Sequence, residues 1–335
     1  MTIRYSIIIP VYNRPGELSE LLESLAAAPA EVMSRTEVIV VDDGSEERSG
    51  EVCRNSRDTP DIRYLYQDNR GPGGARNTGA GMARGEWLIF FDSDCIIPPG
   101  YMDAVEQGLS NGNVDVFGGP DRASDDFTPT QKAIDYAMTS FLTTGGIRGG
   151  RKQLDRYYPR SFNMGIRKSA FDAVDGFSSL RFGEDLDLSM RLIAAGYRTA
   201  LLDRAWVYHK RRTDLKKFFK QVYNSGMARV VLNKRHPGTM KAVHWMPSLF
   251  VLYLAAAFLS LPVAGGWLWL PPALFCLLLF LDGWRKTRHL VSALLVPPAA
   301  LFQLSGYGTG LLHALVIIHI LGRTDARAFE KNFYR

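Results

Sequence analysis

Short apolar runs alternate with helical apolar spacing through the first third of the chain. Four runs of strand length predict strands: residues 5–11, 37–41, 62–66 and 87–91. Each run is too short for an ordinary helix and is bounded by polar or turn-forming residues. Leucines 18, 21, 22 and 25 follow the period of an amphipathic helix, and residues 75–84 predict another. Strands and helices in this order predict an α/β fold with a doubly wound parallel sheet.

The pattern changes completely in the last quarter of the chain. Residues 247–281 and 290–321 form two apolar blocks, separated by a charged stretch at 282–289. Each block is long for one membrane crossing and short for two. Because Pro262 to Gly266 and Ser305-Gly306 interrupt the blocks, we expect two hairpins of four short segments in residues 246–322. Shallow re-entrant hairpins are the alternative. The basic stretch and the tail at 323–335 predict a cytoplasmic position for both, and so a multi-pass membrane protein.

Positive charge is concentrated immediately before the apolar blocks. The net charge is +6, and between Arg204 and Lys241 eleven Lys or Arg residues stand against one acid, Asp214. Its position favours membrane lipids over nucleic acid as the partner. Residues 213–245 therefore predict a basic amphipathic interfacial helix and linker. A helix packed on the catalytic domain is the alternative.

Cysteine usage and the N-terminus bear on the compartment. The three cysteines, Cys53, Cys95 and Cys276, are scattered and odd in number, which fits a reducing cytoplasm better than a disulfide framework. No secretory leader pattern opens the sequence, so we expect the first part of the chain to stay on the cytoplasmic face.

Carboxylates follow two of the predicted strands directly. Asp92 and Asp94 come after the strand at 87–91, and Asp42 and Asp43 end the strand at 37–41. Residues i and i+2 of an extended segment point the same way, and open α/β sheets bind ligands at this edge. Two carboxylates there need compensation, and Mg²⁺ or Mn²⁺ supplies it. The pattern therefore indicates a metal-diphosphate site, although Asp-x-Asp also occurs in ordinary turns.

Two common nucleotide motifs do not fit. The glycines between 71 and 81 do not form G-x-G-x-x-G after a first strand, and there is no P-loop. The edge with Tyr12, Asp43, Arg76, Asp92 and Asp94 instead suits a uridine-like base, a ribose and a diphosphate with its metal.

Six ordered motifs resemble the family 2 glycosyltransferases with the GT-A fold, a Rossmann-like nucleotide-diphospho-sugar transferase fold. They are residues 8–13, 40–45, 74–79, 91–94, 163–167, and 176–177 followed by 183–188. Together they cover roughly residues 3 to 210. The resemblance implies a nucleoside-diphosphate sugar as donor, of which a UDP-sugar is our expectation, and inversion at the anomeric carbon.

The resemblance also implies roles for individual residues. Tyr12 stacks near the base, Asp43 accepts from a ring N–H, and Arg76 holds the nucleotide pocket. Asp92 lies near the ribose and the metal, and Asp94 is the direct metal ligand. The donor-site prediction is completed by Pro10, Asn13, Asp42 and Ser93. Because the middle residue of the motif is Ser93 rather than a third acid, we expect weaker affinity for the ion.

The later motif supplies a candidate base. Glu184 and Asp185 begin a predicted helix, where the helix dipole favours carboxylates. Displacement at an anomeric carbon needs a base for the acceptor hydroxyl. We predict Asp185 as that base and Glu184 as a positioning residue; a plain acidic helix start is the alternative. His209 is a candidate third metal residue, as the family's late histidine suggests, although a lone histidine is often structural.

These observations predict a GT-A domain at residues 1–212 followed by transmembrane helices. We expect a hexosyltransferase that moves a sugar to a membrane-held, lipid-linked glycan in polysaccharide or glycolipid synthesis. One alternative is a polyprenyl-phosphate glycosyltransferase, against which the Glu184-Asp185 pair counts. Another is a catalytically silent membrane scaffold. The stretch from Asp121 to Ser161, with glycines at 145–146 and 149–150 among basic residues, predicts a mobile loop near the acceptor. A surface excursion is the alternative.

Overall fold

The computed structural model describes residues 2–56, 61–110, 112–122, 127–145 and 157–323. These residues form two compact units. The first combines Met1–Ser124 with Tyr157–Lys210, and the second combines Asp125–Arg156 with Arg211–Phe333. The described residues 127–145, which we assigned to the catalytic domain, group with the second unit. The stretch at 121–161, predicted as a loop, contains two helices, Pro129–Thr139 and Phe141–Thr144. Its residues 123–126 and 146–156, and the basic tail beyond residue 323, lie outside the described residues.

The first unit is built on a mixed seven-stranded sheet with the order β3-β2-β1-β4-β8-β6-β9. Its strands are β1 (Tyr5–Val11), β2 (Thr36–Asp43), β3 (Ile62–Gln67), β4 (Trp87–Phe91), β6 (Val116–Gly118), β8 (Asn163–Arg167) and β9 (Thr199–Leu201). The first four are parallel, as predicted, whereas β8 runs antiparallel between β4 and β6. The α/β fold is therefore confirmed. Strands β1 and β4 are buried almost throughout, as expected for strands covered on both faces.

Helices cover this sheet and join its strands. In the first unit they are α1 (Pro15–Ala26), α2 (Ala30–Met33), α3 (Gly50–Asn55), α4 (Gly71–Met82), α5 (Tyr101–Leu109), α8 (Lys168–Ala173) and α9 (Glu184–Ala194). The four predicted leucines of α1 are fully buried. Helix α4 begins at Gly71 rather than at the predicted Ala75. Pro72 at its start fits a first helical turn, and Asp43 accepts from the backbone N–H groups of Arg70 and Gly71.

A second, three-stranded sheet in the same unit has the order β5-β10-β7. Its strands are β5 (Cys95–Ile96), β7 (Asp121–Arg122) and β10 (Val207–His209). Strand β10 pairs antiparallel with β5, which sets His209 opposite Cys95. The backbone N–H of Lys210 also donates to the carbonyl of Asp94 at 3.2 Å. This pairing brings a distant histidine to the end of the Asp-x-Asp motif.

The second unit is helical. Its elements are α6 (Pro129–Thr139), α7 (Phe141–Thr144), α10 (Leu215–Arg235), α11 (Ala242–Leu259), α12 (Leu261–Ala264), a 3-10 segment (Gly265–Trp269), α13 (Leu270–Thr287), α14 (Leu290–Leu315) and a π-helical turn (Val316–Ile320). Among the described residues, three helical stretches are long and apolar enough to cross a membrane: Ala242–Leu259, Gly265–Thr287 and Leu290–Ile320. No more than a third of each apolar window is buried inside the protein.

The predicted break at Ser305-Gly306 was wrong, because α14 runs through it without interruption. The glycines there serve helix packing. A Cβ on Gly306 would lie 2.6 Å from Val222, and one on Gly310 would lie 2.1 Å from the carbonyl oxygen of Tyr223. Small residues at such spacing let two helix backbones approach closely. The basic helix α10 is therefore packed along α14, which neither of our two sequence-based interpretations anticipated.

A glycine beside the sheet gives a stability prediction. A Cβ on Gly119, just after β6, would lie 1.6 Å from the carbonyl oxygen of Ala205, so the backbone must move. We expect Gly119→Ala to destabilise the protein by about 3 kcal/mol or more. Gly81 in α4 is the matched control, since nothing lies within 4 Å of its Cβ position. There, alanine should stabilise by about 0.5 kcal/mol. Thermal unfolding of both purified variants tests this; equal midpoints would contradict it.

Candidate active site

The predicted ligand-binding edge carries a compact group of potential metal-binding atoms. The ligand atoms of Asp94, Cys95 and His209 all lie within 4.8 Å of one another. His209 Nε2 is 3.1 Å from Asp94 Oδ1, and the His209 ring stacks on Phe162 with centroids 4.9 Å apart. Asp92, predicted as a further metal residue, is not in this group among the described residues. Strand pairing and ring stacking thus fix the imidazole against the carboxylate.

Two of these three residues offer ligand atoms that suit a hard divalent ion. Carboxylate oxygen and imidazole nitrogen are ligands that Mn²⁺ and Mg²⁺ accept. Burial raises the pKa of the Cys95 thiol well above its usual value, and the neighbouring Asp94 and Asp92 raise it further. Thiol sulfur is also a soft donor, which a hard ion such as Mg²⁺ does not favour. Asp94 and His209 are the residues that would hold the ion.

An arginine that we did not predict contacts the same carboxylate. Arg14, the N-cap residue of α1, donates from Nη1 to Asp94 Oδ2 at 3.0 Å and to Glu17 Oε2 at 2.7 Å. Both oxygens of Asp94 thus have a basic side chain beside them. From sequence, Arg14 was only part of the loop before the first helix, and no spacing rule linked it to Asp94.

Asp42 and Asp43 organise the loops next to the site. Asp42 is fully buried and accepts from the backbone N–H groups of Ser45 and Ser49 and from the Tyr64 hydroxyl. Asp43 accepts from the Gln67 amide at 2.7 Å and, as described above, from the first turn of α4. Burial raises the pKa of Asp43, and these hydrogen bonds oppose the rise. Both residues therefore have structural contacts in addition to any donor contact.

The other predicted donor-site residues lie along the same edge. Pro10 is the penultimate residue of β1, and Tyr12 and Asn13 follow that strand. Asn13 has a left-handed backbone with φ of 52°. Its Oδ1 accepts from Glu46 N–H at 2.8 Å, and its own N–H donates to Ser45 at 2.8 Å. Ser93 is buried between Asp92 and Asp94. The sheet edge thus brings the predicted positions together.

Arg76 joins the two acidic motifs. Its side chain is only 3% exposed and donates from Nη1 to Glu184 Oε1 at 3.0 Å and from Nη2 to Asp92 Oδ1 at 2.6 Å. The guanidinium also lies 5.3 Å from the ring centre of Phe177. A buried guanidinium fits two carboxylates because its donors are fixed in a planar fork. One guanidinium therefore bridges the Asp-Ser-Asp motif and the start of α9.

The two carboxylates at the start of α9 have different environments. Burial and the charge of Asp185 raise the pKa of Glu184, although Arg76 opposes the rise. Burial would also raise the pKa of Asp185, but the Arg160 guanidinium and the Leu186 N–H outweigh it and lower that pKa. Arg160 Nε donates to Asp185 Oδ2 at 2.6 Å. The predicted base is thus held as a carboxylate by an arginine that sequence reasoning missed.

The family assignment rests on a match to the sequence. The family model for Glycosyl transferase family 2 matches residues 6–175, which is about half of the chain. This chain belongs to glycosyltransferase family 2. The glycosyltransferase assignment and the GT-A fold made from the six motifs are thereby confirmed. The match covers strands β1 to β8 and includes the Asp-Ser-Asp motif, whereas Glu184, Asp185 and His209 follow it.

Related proteins and solved structures agree with the assignment of this chain as a glycosyltransferase. An uncharacterized glycosyltransferase of Haemophilus influenzae is 31% identical over 56% of this chain and 61% of its own length. The succinoglycan biosynthesis protein ExoA of Rhizobium meliloti is 29% identical over 67% of this chain and 68% of its own. The chain thus spans only about three fifths of the first of these relatives.

One solved structure shares the fold over nearly the whole chain. It is a mannosyltransferase of Pyrobaculum calidifontis in complex with GDP-Man and Mn²⁺, with a TM-score of 0.63 and 17% identity. The alignment covers 91% of this chain and 88% of that one. At 17% identity, the similarity between the two chains shows a shared fold and nothing further.

The raised pKa of Glu184 predicts a pH effect on stability. The native state holds this proton more tightly than the unfolded chain, so stability falls as pH rises above the usual glutamate range. Glu184→Gln removes that loss. We expect the unfolding temperature of Glu184→Gln minus that of wild type to grow as the pH rises from about 5 to about 8. Glu23→Gln, an exposed carboxylate on α1, is the control. Parallel curves for all three proteins would contradict the prediction.

Proposed function

We propose that this glycosyltransferase is inverting and metal-dependent, and that it transfers a sugar from a nucleoside diphosphate to a lipid-linked glycan at the membrane. The observation that carries the proposal is the bridge that Arg76 makes between the two acidic motifs. Arg76 pairs with Asp92, two residues before Asp94 in the sequence, and with Glu184, the neighbour of Asp185. Asp94 itself pairs with His209. One motif suits a diphosphate and its ion, and the other suits a nucleophile.

The donor would lie along the carboxyl ends of β1, β2 and β4. Asp43 would accept from the base and Tyr12 would stack near it, while Arg76 holds the pocket in shape. A bound divalent ion at Asp94 and His209 would neutralise negative charge on the departing diphosphate. The mannosyltransferase named above contains GDP-Man and Mn²⁺, which supports a nucleotide sugar and a divalent ion for this chain as well. We keep a UDP-sugar as the expected donor class.

Asp185 would take the proton of the acceptor hydroxyl. Its carboxylate is at the start of α9, where the helix dipole stabilises negative charge. Because its pKa is lowered, Asp185 is ionised and ready to accept a proton at neutral pH, although as a weak base. The neighbouring Glu184 would hold Arg76, and through it Asp92, in position. Arg160 must release Asp185 Oδ2, or share it, when the acceptor arrives.

The apolar helices suggest where the acceptor comes from. Three stretches are long and apolar enough to cross a membrane, and a relative is named for succinoglycan biosynthesis. A lipid-linked acceptor would meet the enzyme at a membrane surface. We propose that the catalytic unit faces the cytoplasm, because Arg285, Lys286 and Arg288 cluster where α13 ends, just before α14 begins.

A donor panel tests the proposal. The purified full-length protein is incubated with UDP-, GDP- and dTDP-sugars, with and without Mn²⁺ or Mg²⁺, and with a bacterial lipid extract as acceptor. We expect one base to be preferred, transfer to the lipid fraction, and loss of transfer with EDTA. Full turnover in EDTA would overturn the metal role. Absence of both transfer and donor hydrolysis under every condition would favour a silent scaffold.

One observation favours a second candidate, a polyprenyl-phosphate glycosyltransferase. Arg160 binds the proposed base directly and lowers its pKa, whereas an anionic phosphate acceptor needs no base. Arginine is also well suited to bind phosphate. The product distinguishes the two candidates. A sugar linked to a lipid monophosphate would support the second, and a longer lipid-linked glycan would support the first.

A further inference from the structure

Arg14 places a positive charge beside Asp94, the candidate metal ligand, and this charge would repel a metal ion bound there. Arg14 lies in the loop between β1 and α1, beside the metal candidate Asp94, and its guanidinium is shared between Asp94 and Glu17. It is also the residue that precedes the first turn of α1. A helix N-terminus is unfavourable for a positive charge. The two carboxylates therefore account for the position of the arginine.

The charges at the Asp-Ser-Asp motif are balanced by arginines. Asp92 is paired with Arg76 and Asp94 with Arg14. The two pairs differ in burial: the Arg76 side chain is 3% exposed and that of Arg14 is 24% exposed. The Arg76 pair is thus fixed in the interior, whereas Arg14 is at the rim and has room to change partners.

We propose that Arg14 competes with the divalent ion for Asp94 and turns to the donor's diphosphate when the donor enters. The proposal rests on the metal role proposed above. A guanidinium binds carboxylate and phosphate with the same fork of donors. Without the donor, the positive charge of Arg14 weakens binding of the divalent ion at Asp94. With the donor bound, Arg14 can pair with the diphosphate instead. Ion and donor would therefore bind better together than either does alone, and this coupling is reciprocal.

Direct Mn²⁺ binding tests the competition without measuring turnover. The full-length protein in detergent is titrated with Mn²⁺ alone, and free Mn²⁺ is followed by electron paramagnetic resonance. Removing the positive charge in Arg14→Gln should tighten Mn²⁺ binding by about tenfold. Arg14→Met, a second neutral variant, should do the same. Arg14→Lys keeps the charge and should bind Mn²⁺ no more tightly than wild type.

Two further variants separate this proposal from the metal role itself. Asp94→Asn should lose most Mn²⁺ binding. Glu17→Gln removes one acidic partner of Arg14 and leaves Asp94 as the other. Because Arg14 then stays with Asp94, the affinity of this variant for Mn²⁺ should be equal to or weaker than that of wild type. If Asp94→Asn loses the ion but both neutral Arg14 variants bind it as wild type does, the competition is refuted and the metal site stands. If the wild-type protein does not bind Mn²⁺ at all, both are refuted.

Repeating the titration with UDP present completes the test. In the wild-type protein, UDP should tighten Mn²⁺ binding, since Arg14 then has the diphosphate as a partner. In Arg14→Gln this gain should shrink. An equal gain in both proteins would contradict the transfer of Arg14 from carboxylate to diphosphate. GDP replaces UDP if the donor panel favours that base.

Discussion

Asp94→Asn is expected to lower transfer by about a thousandfold or more, because several kcal/mol of charge stabilisation depend on the bound ion. Asp94 lies next to both His209 and Arg14. The amide keeps the shape of the side chain but removes its charge. The measurement is kcat for transfer of labelled sugar to the lipid extract, with a saturating divalent ion.

Cys95→Ala is the matched control for this variant. Cys95 belongs to the same group of potential ligands, but its thiol is buried and its pKa is raised. We therefore expect nearly wild-type transfer from Cys95→Ala and an unchanged dependence on the ion. If the two variants lose activity equally, the thiol takes part in the site. If Asp94→Asn stays active, the position of the ion is wrong.

Asp185→Asn is expected to abolish transfer to a hydroxyl acceptor, with a loss of about a hundred- to ten-thousandfold in kcat. Its amide cannot accept the proton, and Arg160 loses an ionic partner. Donor affinity should change little, because Arg76, Asp92 and Asp94 remain in place. Turnover and donor binding, the latter by calorimetry, are measured on the same preparation.

Asp187→Asn controls for the loss of a buried carboxylate on the same helix. Asp187 is 2% exposed and pairs with Arg191 one turn further along α9. We expect it to lower the unfolding temperature but to leave most of the transfer activity. Retained turnover in Asp185→Asn would refute the base assignment. It would favour the phosphate acceptor if the product is a sugar linked to a lipid monophosphate.

Much of the catalytic fold follows from local pattern. The first four strands were predicted because buried parallel strands read as continuous apolar runs, and Asp92 and Asp94 follow the most buried of them. The start of α4 was predicted at Ala75 instead of Gly71 because of the glycines and proline at 71–74. Glycine and proline usually indicate a loop, but here Asp43 from a neighbouring strand supplies acceptors for the start of the helix.

Contacts between distant segments could not be predicted from the local pattern of residues. His209 reaches Asp94 because β10 pairs with β5, and two such short strands have no clear sequence signal. Arg160 contacts Asp185 from the segment before β8, which also has no clear sequence signal. The family resemblance indicated a late histidine, but nothing in the sequence indicated that arginines would contact both Asp94 and Asp185.

The membrane helices show the limit of composition alone. Pro262 to Gly266 is indeed an interruption, since a 3-10 segment follows a short helix there. The similar signal at Ser305-Gly306 was wrong because Gly306 and Gly310 approach α10 closely. A glycine marks either a break or a close helix contact, and only the packing partner distinguishes them.

The position of the ion is the most direct test of the central claim. Diffraction data collected at the manganese absorption edge, from crystals grown with Mn²⁺ and the preferred nucleoside diphosphate, would locate the metal by its anomalous signal. We predict one strong peak between Asp94 and His209, next to the diphosphate, with Arg14 turned from Asp94 to the phosphates. A bound nucleotide with no peak at Asp94, or with the peak elsewhere, would contradict the account.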